Sequence, residues 1–362
     1  MAGTRVTITD VARHAGVSKT LVSFALNDRP GVGAEARGRI LAAAAELGWR
    51  PSQRARSLSV SRAFALGFVV ARPPQMLGAD PFFPSFIAGV ETVLSETDRA
   101  LVLLVVRDEA AEVAGYERLA RDGRVDGVFL SDLRHHDPRL DHLHRLGLPA
   151  VTLNRPAVRS PFPAVCLDDR AGVGEAVAHL VALGHTRIGH VCGPPTFLHS
   201  SSRRDAWAAA VQAHGLHPGP EAVGDFTPAS GAVATRELLR APDPPSAIVY
   251  GNDLMAMAGL TVAHQLGVPV PGGLSVTGFD DSAPAAHTLP ALTTVRADTV
   301  TWGEECARVL LSLVDGGAPD DVEMPPARLV VRDTTGSPGR GHPGLDAPNP
   351  TTPVDPTPEE NP

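Results

Sequence analysis

The chain has 362 residues, 43% of them hydrophobic, and a formal net charge of −8. That length is a prior for two or three domains with sizeable cores. No apolar run approaches the ~18–20 residues of a membrane span, and no apolar stretch behind a basic start marks a secretory leader. The cysteines at 166, 192 and 306 stand too far apart for metal or redox spacing. A cytoplasmic protein with no cofactor, no metal site and no membrane contact is expected. The charge is uneven: residues 1–62 hold ten Lys/Arg against four Asp/Glu, the remainder 22 against 36. A basic head on an acidic body suits a local phosphate-binding surface whose body discourages non-specific adhesion to nucleic acid.

Three short helices open the chain. Thr7 and Asp10 form a capping-box pair ahead of Ile8, Val11, Ala12 and Ala15, an i, i+3, i+4, i+7 stripe. Gly16 breaks that helix, and Ser18 can cap a second reaching Asn27. After turn residues 28–31, a third helix over 34–47 buries Ile40, Ala44 and Leu47, with Gly48 as its stop. A helix, a tight turn with glycine and a second capped helix make a helix-turn-helix. On a helical wheel Leu21, Val22, Ala25 and Leu26 share one arc. Lys19, Thr20, Ser23 and Asn27 share the other, free to enter a major groove. Phe24 lies beside Thr20, placed either to touch a thymine methyl or to fold back onto the head. Residues 52–62 read as a linker, too short and polar to hold a helix alone.

Beyond residue 63, short apolar runs alternate with helical stretches. Strands are expected at 66–70, 101–106, 125–130, 150–153, 188–191, 247–250 and 274–279. Helices are expected at 86–94, 171–183, 206–214, 232–239, 254–266 and 302–313. The alternation implies parallel sheets with helices on both faces, and the strand count implies two such lobes. The fold class is therefore α/β: an all-α helix-turn-helix head, a hinge, then two doubly wound parallel-sheet lobes. The expected bounds are 1–51 for the head, 52–62 for the hinge and 63–335 for the body. The lobes are placed at 63–157 plus 293–322 and at 158–292 plus 323–335. Residues 336–362, rich in Pro, Gly and Thr, read as a disordered tail.

The string from Val6 to Ser23, continued by Asn27, Val32, Arg37 and the stretch from Glu46 to Pro51, resembles the N-terminal signature of the LacI/GalR family of transcriptional regulators. In the body, LGHTRIGHV at 183–191, GND at 251–253, TGFDD at 277–281, LTTVRAD at 292–298 and LVVRDTTG at 329–336 extend the resemblance to nearly the whole length. The resemblance implies a dimeric repressor. Its affinity for a pseudo-palindromic double-stranded operator is set by a small effector, a sugar by family precedent. The alternative is a cytoplasmic solute-binding module with weak or lost operator binding. A solute binder lacks a basic head, and an enzyme on this body would need converging acid/base or nucleophile motifs, of which the sequence offers none.

DNA contacts are expected from Thr7, Ser18, Lys19, Thr20, Ser23, Phe24 and Asn27. The resemblance makes 54–58 a hinge helix, with Arg54 and Arg56 against phosphates, Ala55 also among the DNA contacts, and Leu58 inserted into the minor groove; the alternative is that Leu58 packs on the lobe below. Phe24 stands where the family usually has an Arg that reads a guanine. Gly33, Ala36 and Ser52 also depart from the pattern. The family's effector site maps onto Arg203, Asp280 and Asn252, with Phe83 and Phe226 as apolar walls. Ser131, Asn154 and Arg155 join them as residues that follow strand ends. Asp253 and Asp281 read as capping or lobe-closing groups, and the serines at 200–202 as a helix cap.

Overall fold

A computed structural model of the chain describes residues 6–26, 30–49 and 62–339. The head contains α1 (Ile8–Ala15), α2 (Lys19–Leu26) and α3 (Ala34–Glu46). Thr7 and Asp10 close the capping box: Asp10 Oδ2 accepts from the Thr7 amide at 2.9 Å and from its hydroxyl at 2.7 Å. Those bonds satisfy part of the unpaired helix start and hold the Asp10 carboxyl below its usual range. The chain leaves α1 through Gly16 at φ 66, a left-handed turn that disfavours a side chain. Ser18 Oγ accepts from Leu21 N at 3.2 Å at the start of α2. Val11, Ala12, Val22, Ala25, Ile40, Ala43 and Ala44 are buried together, so the three stripes close one small core.

The body begins with β1 (Ala65–Ala71), α4 (Pro74–Ala79), α5 (Phe82–Glu96), β2 (Ala100–Val106), α6 (Glu109–Arg121), β3 (Gly127–Leu130), α7 (Arg139–Arg145), β4 (Ala150–Leu153) and β5 (Ala164–Cys166). It continues through α8 (Asp169–Ala182), β6 (Ile188–Cys192), α9 (Leu198–Ala213), β7 (Glu221–Val223), α10 (Pro228–Arg240), β8 (Ala247–Tyr250), α11 (Asp253–Gln265) and β9 (Ser275–Phe279). Then come β10 (Thr293–Arg296), α12 (Thr299–Val314), β11 (Val322–Glu323) and β12 (Arg328–Val330). One sheet runs β11-β5-β4-β3-β1-β2, entirely parallel. The other runs β12-β10-β9-β8-β6-β7, parallel except for the β10–β12 pair. The central strands are buried at every position, as in sheets covered by helices on both faces.

This topology corrects the expected lobe bounds. β5 belongs to the first sheet, although it falls beyond residue 157, and β10 belongs to the second, although it falls after residue 292. The chain changes sheet after β5, after β10 and after β11, and α12 returns to the first lobe to pack along α5. The helices α4, α6 and α7 and the short strands β5, β7, β10, β11 and β12 were not foreseen. The tail needs a correction too. Gly336 O accepts from the His185 ring and Gly339 N donates to Gly272 O at 2.8 Å, so residues 336–339 are laid onto the second lobe. The rest of that tail, from 340, lies outside the described residues.

The α5–α12 contact is close enough to require glycine on both sides. A Cβ on Gly89 would lie 2.0 Å from Val300 O, and one on Gly303 would lie 2.3 Å from Phe86 O. Trp302 Nε1 donates to Val165 O at 2.9 Å, which ties α12 to the first sheet. Gly89→Ala should force the two helices apart and destabilise the body by about 1–3 kcal/mol. Chemical denaturation followed by tryptophan fluorescence measures this; an unchanged midpoint would mean the contact is not rigid.

Candidate functional sites

In the head, Lys19 and Thr20 are exposed at the start of α2, while Ser23 and Phe24 are half-buried further along. Thr7 and Ser18 are exposed at the two helix starts. The polar arc of α2 therefore faces away from the small core, as insertion into a groove requires. Asn27 and the hinge residues Arg54, Ala55, Arg56 and Leu58 lie outside the described residues. The point where the chain reaches the body is firmly held. Asp126 accepts from the amides of Ala63 and Phe64 at 2.7 and 2.8 Å, and Arg62 reaches Asp315 at 2.5 Å and Val314 O at 3.2 Å.

The body's pocket follows from the strand orders. In the first sheet the winding reverses between β1 and β3, in the second between β6 and β8. Open parallel sheets bind ligands beyond the carboxyl ends of such strands. A cleft lies there, lined by residues that follow strands of both lobes.

On the second lobe, Arg203 projects from α9. Its Nε donates to Asp169 Oδ2 at 2.7 Å, its Nη1 donates to Gly251 O at 2.8 Å, and its guanidinium lies 3.5 Å from the Phe279 ring centroid. Three contacts fix the plane of the guanidinium, which suits it to fork toward paired oxygens. Asp280 follows β9 at φ 118. Burial and the neighbouring Asp80 and Asp253 push its carboxyl well above the usual range, against the pull of Arg203. Asn252 is 2% exposed. Its amide is engaged by Met255 N and Phe226 O, both at 3.0 Å, so it caps α11 and holds the Phe226 loop. Gly193 makes room for that loop: a Cβ there would lie 2.0 Å from the Phe226 ring.

On the first lobe, Arg72 leaves β1 and pairs with Asp132 through two bonds of 2.9 and 3.0 Å. Burial opposes ionisation of Asp132, yet the Arg72 pair takes its pKa down to about 2. Arg72 also lies over Phe197 and Phe226 of the other lobe, at 4.3 and 5.5 Å from the ring centroids. His199 is stacked between the same two rings, and burial lowers its pKa to about 3, so it is neutral at physiological pH. This edge of the cleft is also joined by backbone: Leu198 N donates to Leu133 O at 2.8 Å, and Arg134 bridges Phe197. Beneath it, buried Arg139 donates to the carbonyls of Ser131 and Asp132 at 3.0 and 2.9 Å while paired with Glu112 and Asp137. Phe82, Phe83 and Trp302 form the apolar wall.

Of the residues expected at the effector site, Phe83, Ser131, Asn154, Arg203, Phe226, Asn252 and Asp280 line this cleft. Asn154 does so with its side-chain oxygen already taken by Leu167 N at 2.6 Å. Arg155 does not line it. It points to the sheet edge, where it binds Asp321 and Glu323 at 3.0 and 2.8 Å. The serines at 200–202 also need correcting, because they lie inside α9, whose N-cap is Phe197. Asp253 is an internal organiser, bonded to Ser282 and Thr294, and Asp281 pairs with Arg296 and Arg332. Sequence reasoning missed Arg72, Asp80, Asp132, Asp169, His199 and Trp302. A charged residue at the end of an apolar run, directly after it as Arg72 is or one residue further on as Asp132 is, was the available signal.

Residues 7–52 match the bacterial regulatory proteins of the lacI family, and residues 177–335 match the periplasmic binding protein-like domain. The chain is 35% identical over 338 residues to the HTH-type transcriptional regulator CelR of Thermobifida fusca, covering 91% of this chain and 98% of the relative. Among solved structures it is similar to a complex of the transcriptional regulator CelR with cellobiose (TM-score 0.69, 33% identity, 91% of this chain and 100% of that one). It is also similar to the lac repressor dimer bound to operator and the anti-inducer ONPF (TM-score 0.78, 27% identity, 92% and 100%).

The raised Asp280 carboxyl has a consequence for stability. Its folded pKa exceeds the unfolded value, ~3.9 for an aspartate. Its contribution is therefore fully present below that value and is lost as pH rises through the folded pKa. Asp280→Asn should melt at least roughly 2 °C above the parent at pH 7–8, with the difference vanishing near pH 4. A lower melting temperature than the parent at neutral pH would refute this account.

Proposed function

The chain belongs to the LacI family, and we propose that the polar arc of α2 reads operator DNA while the interlobe cleft takes a neutral sugar that controls that reading. The protein is a DNA-binding transcriptional regulator whose partners are operator DNA, a small effector and a second copy of itself. No helix among the described residues is long and apolar enough to cross a membrane. The proposed role is regulatory rather than catalytic and is carried out in the cytoplasm.

One observation carries the choice of effector. Asp80 and Asp280 face one cleft from opposite lobes, and neither has an ion-pair partner among the described residues, while Arg203 stands fixed beside an aromatic wall. Carboxylates accept hydroxyl hydrogens, a forked guanidinium donates to hydroxyl oxygens, and aromatic faces cover the C–H side of a sugar ring. Four lining aspartates against two arginines disfavour an anionic ligand. A sugar bonded to both lobes changes lobe closure, and with it the spacing of two heads in a dimer. By linkage, operator binding must alter sugar affinity by the same factor. Lys19, Thr20, Ser23 and Phe24 are proposed to meet base edges and Leu58 the minor groove; Thr7, Ser18, Arg54 and Arg56 are proposed to meet the backbone.

The test is selection of bound duplexes from a randomised library by the purified full-length protein. A two-fold-symmetric site with a flexible central pyrimidine–purine step is expected. Phe24→Ala should relax the preference at one position of each half-site, a change of about 1–3 kcal/mol in discrimination. Recovery of no motif by folded protein at moderate salt would overturn the operator-reading proposal.

A further inference from the structure

The lobes also meet where no chain passes between them. The three passages gather toward one edge of the body, beside β5 and β11 in the first sheet and β10 and β12 in the second. A further contact lies toward the opposite edges, among residues that follow β1, β3 and β6. It is reciprocal. Met76 of α4, from the first lobe, is buried with Phe226 and Tyr250 in the second lobe's cluster. Leu198, from the second lobe, packs against the first lobe's cluster, which holds Leu133 and Leu140. Polar bonds align the same segments: Leu198 N donates to Leu133 O at 2.8 Å, and Ser201 Oγ lies 2.9 Å from His135 Nε2.

A buried charge cluster shapes the first-lobe side of this contact. Arg139 is 1% exposed. Besides the carbonyls of Ser131 and Asp132, its guanidinium holds Glu112 and Asp137. Both acids also bind Arg134: Asp137 accepts from its amide at 3.1 Å, and Glu112 accepts from its side chain at 2.9 Å. Segment 131–137 is thereby folded around one planar fork of donors, a geometry that a lysine ammonium cannot reproduce.

We propose that Arg139 is a positioning residue: it holds segment 131–135 in the shape onto which the start of α9 docks, and this contact is a clasp that must part before the lobes open. Burying such charges costs desolvation that apolar packing of the same volume avoids; what the cluster contributes instead is the shape of this segment. A hinge at the passages moves the far edge most, so the clasp is where opening is felt first. Arg203 stands on α9 five residues past Leu198, so parting the clasp also frees the start of the helix that carries the cleft's arginine. The clasp operates whichever ligand the cleft takes.

The experiment is hydrogen exchange of the full-length protein, resolved to single amides, with a thermal melt confirming each fold. Leu198 is the first residue of α9, so its amide has no partner within the helix and its protection reports the clasp. Arg139→Lys keeps the charge and loses the fork; it should speed exchange at Leu198 at least about tenfold and leave β6 and the interior of α9 unchanged. A merely structural Arg139 would loosen β3 and α7 of its own lobe and leave Leu198, in the other lobe, as protected as before. Leu198→Pro removes the same bond and spares the charge cluster: proline is tolerated at the first helical position, and Phe197 before it is already extended at φ −89, ψ 134. It should speed exchange of the Asp80 amide, which is bonded to Met76 O at 2.8 Å in the short helix that the second lobe covers. Unchanged protection of Leu198 in folded Arg139→Lys overturns the positioning role, and unchanged exchange at Asp80 in Leu198→Pro overturns the clasp. Should Arg139→Lys fail to fold, Asp137→Asn, of the same shape, loosens the same guanidinium and is read at Leu198 in the same way.

Discussion

The two sheets are threaded by one chain that passes between them three times, and this constraint governs the rest of the body. The passages follow β5, β10 and β11, and residues beyond the carboxyl ends of parallel strands in both sheets line one cleft. Several residues that leave those strands line the space between, while Arg155 turns to the sheet edge instead. Arg72 after β1, Ser131 and Asp132 after β3, Asn252 after β8 and Asp280 after β9 are all consequences of that arrangement. The close α5–α12 contact through Gly89 and Gly303 then brings Trp302 and Phe82 together as a wall.

The cleft is electrostatically unbalanced by construction. Two of its acids have basic partners: Asp132 has Arg72 and Asp169 has Arg203. Burial raises the pKa of Asp169 despite that pairing, whereas Asp132 is driven down. Asp80 and Asp280 have no such partner among the described residues, and burial raises both. A closed cleft without a ligand would press like charges together. Hydroxyl donors between the lobes relieve that, so a neutral polyol can favour closure without carrying a charge.

What the sequence disclosed followed signal strength. Long apolar runs such as 66–70 and capped stripes such as Thr7 with Ile8, Val11 and Ala12 were legible because local periodicity alone fixes them. Strands of two or three residues, such as β5 and β11, are shorter than any alternation can reveal, and sheet membership depends on tertiary threading, so the lobe bounds were misplaced. The helix α6 was hidden by its charge, since Glu112 reads as surface yet is buried by pairing with Arg139 and Arg134. In the cleft, Arg203 and Asp280 came from family resemblance. Arg72, Asp132 and His199 came only with the structure, because their roles depend on partners from distant segments. Arg155 shows the limit of the strand-end rule: the next residue can turn to the sheet edge if acids such as Asp321 and Glu323 wait there.

The anchoring of residues 62–64 carries a consequence for how length is measured along DNA. Asp126 and Asp315 pin the chain where it joins the first lobe, and Asp315 is held in turn by Arg99 beside β2. In a two-fold assembly the distance between the two anchor points is then a property of the bodies, insensitive to which bases the heads prefer. On the proposed reading the body serves as the ruler and the head as the alphabet: substitutions in α2 would change the letters of a half-site, while the gap between half-sites would be set from an anchor about forty residues downstream.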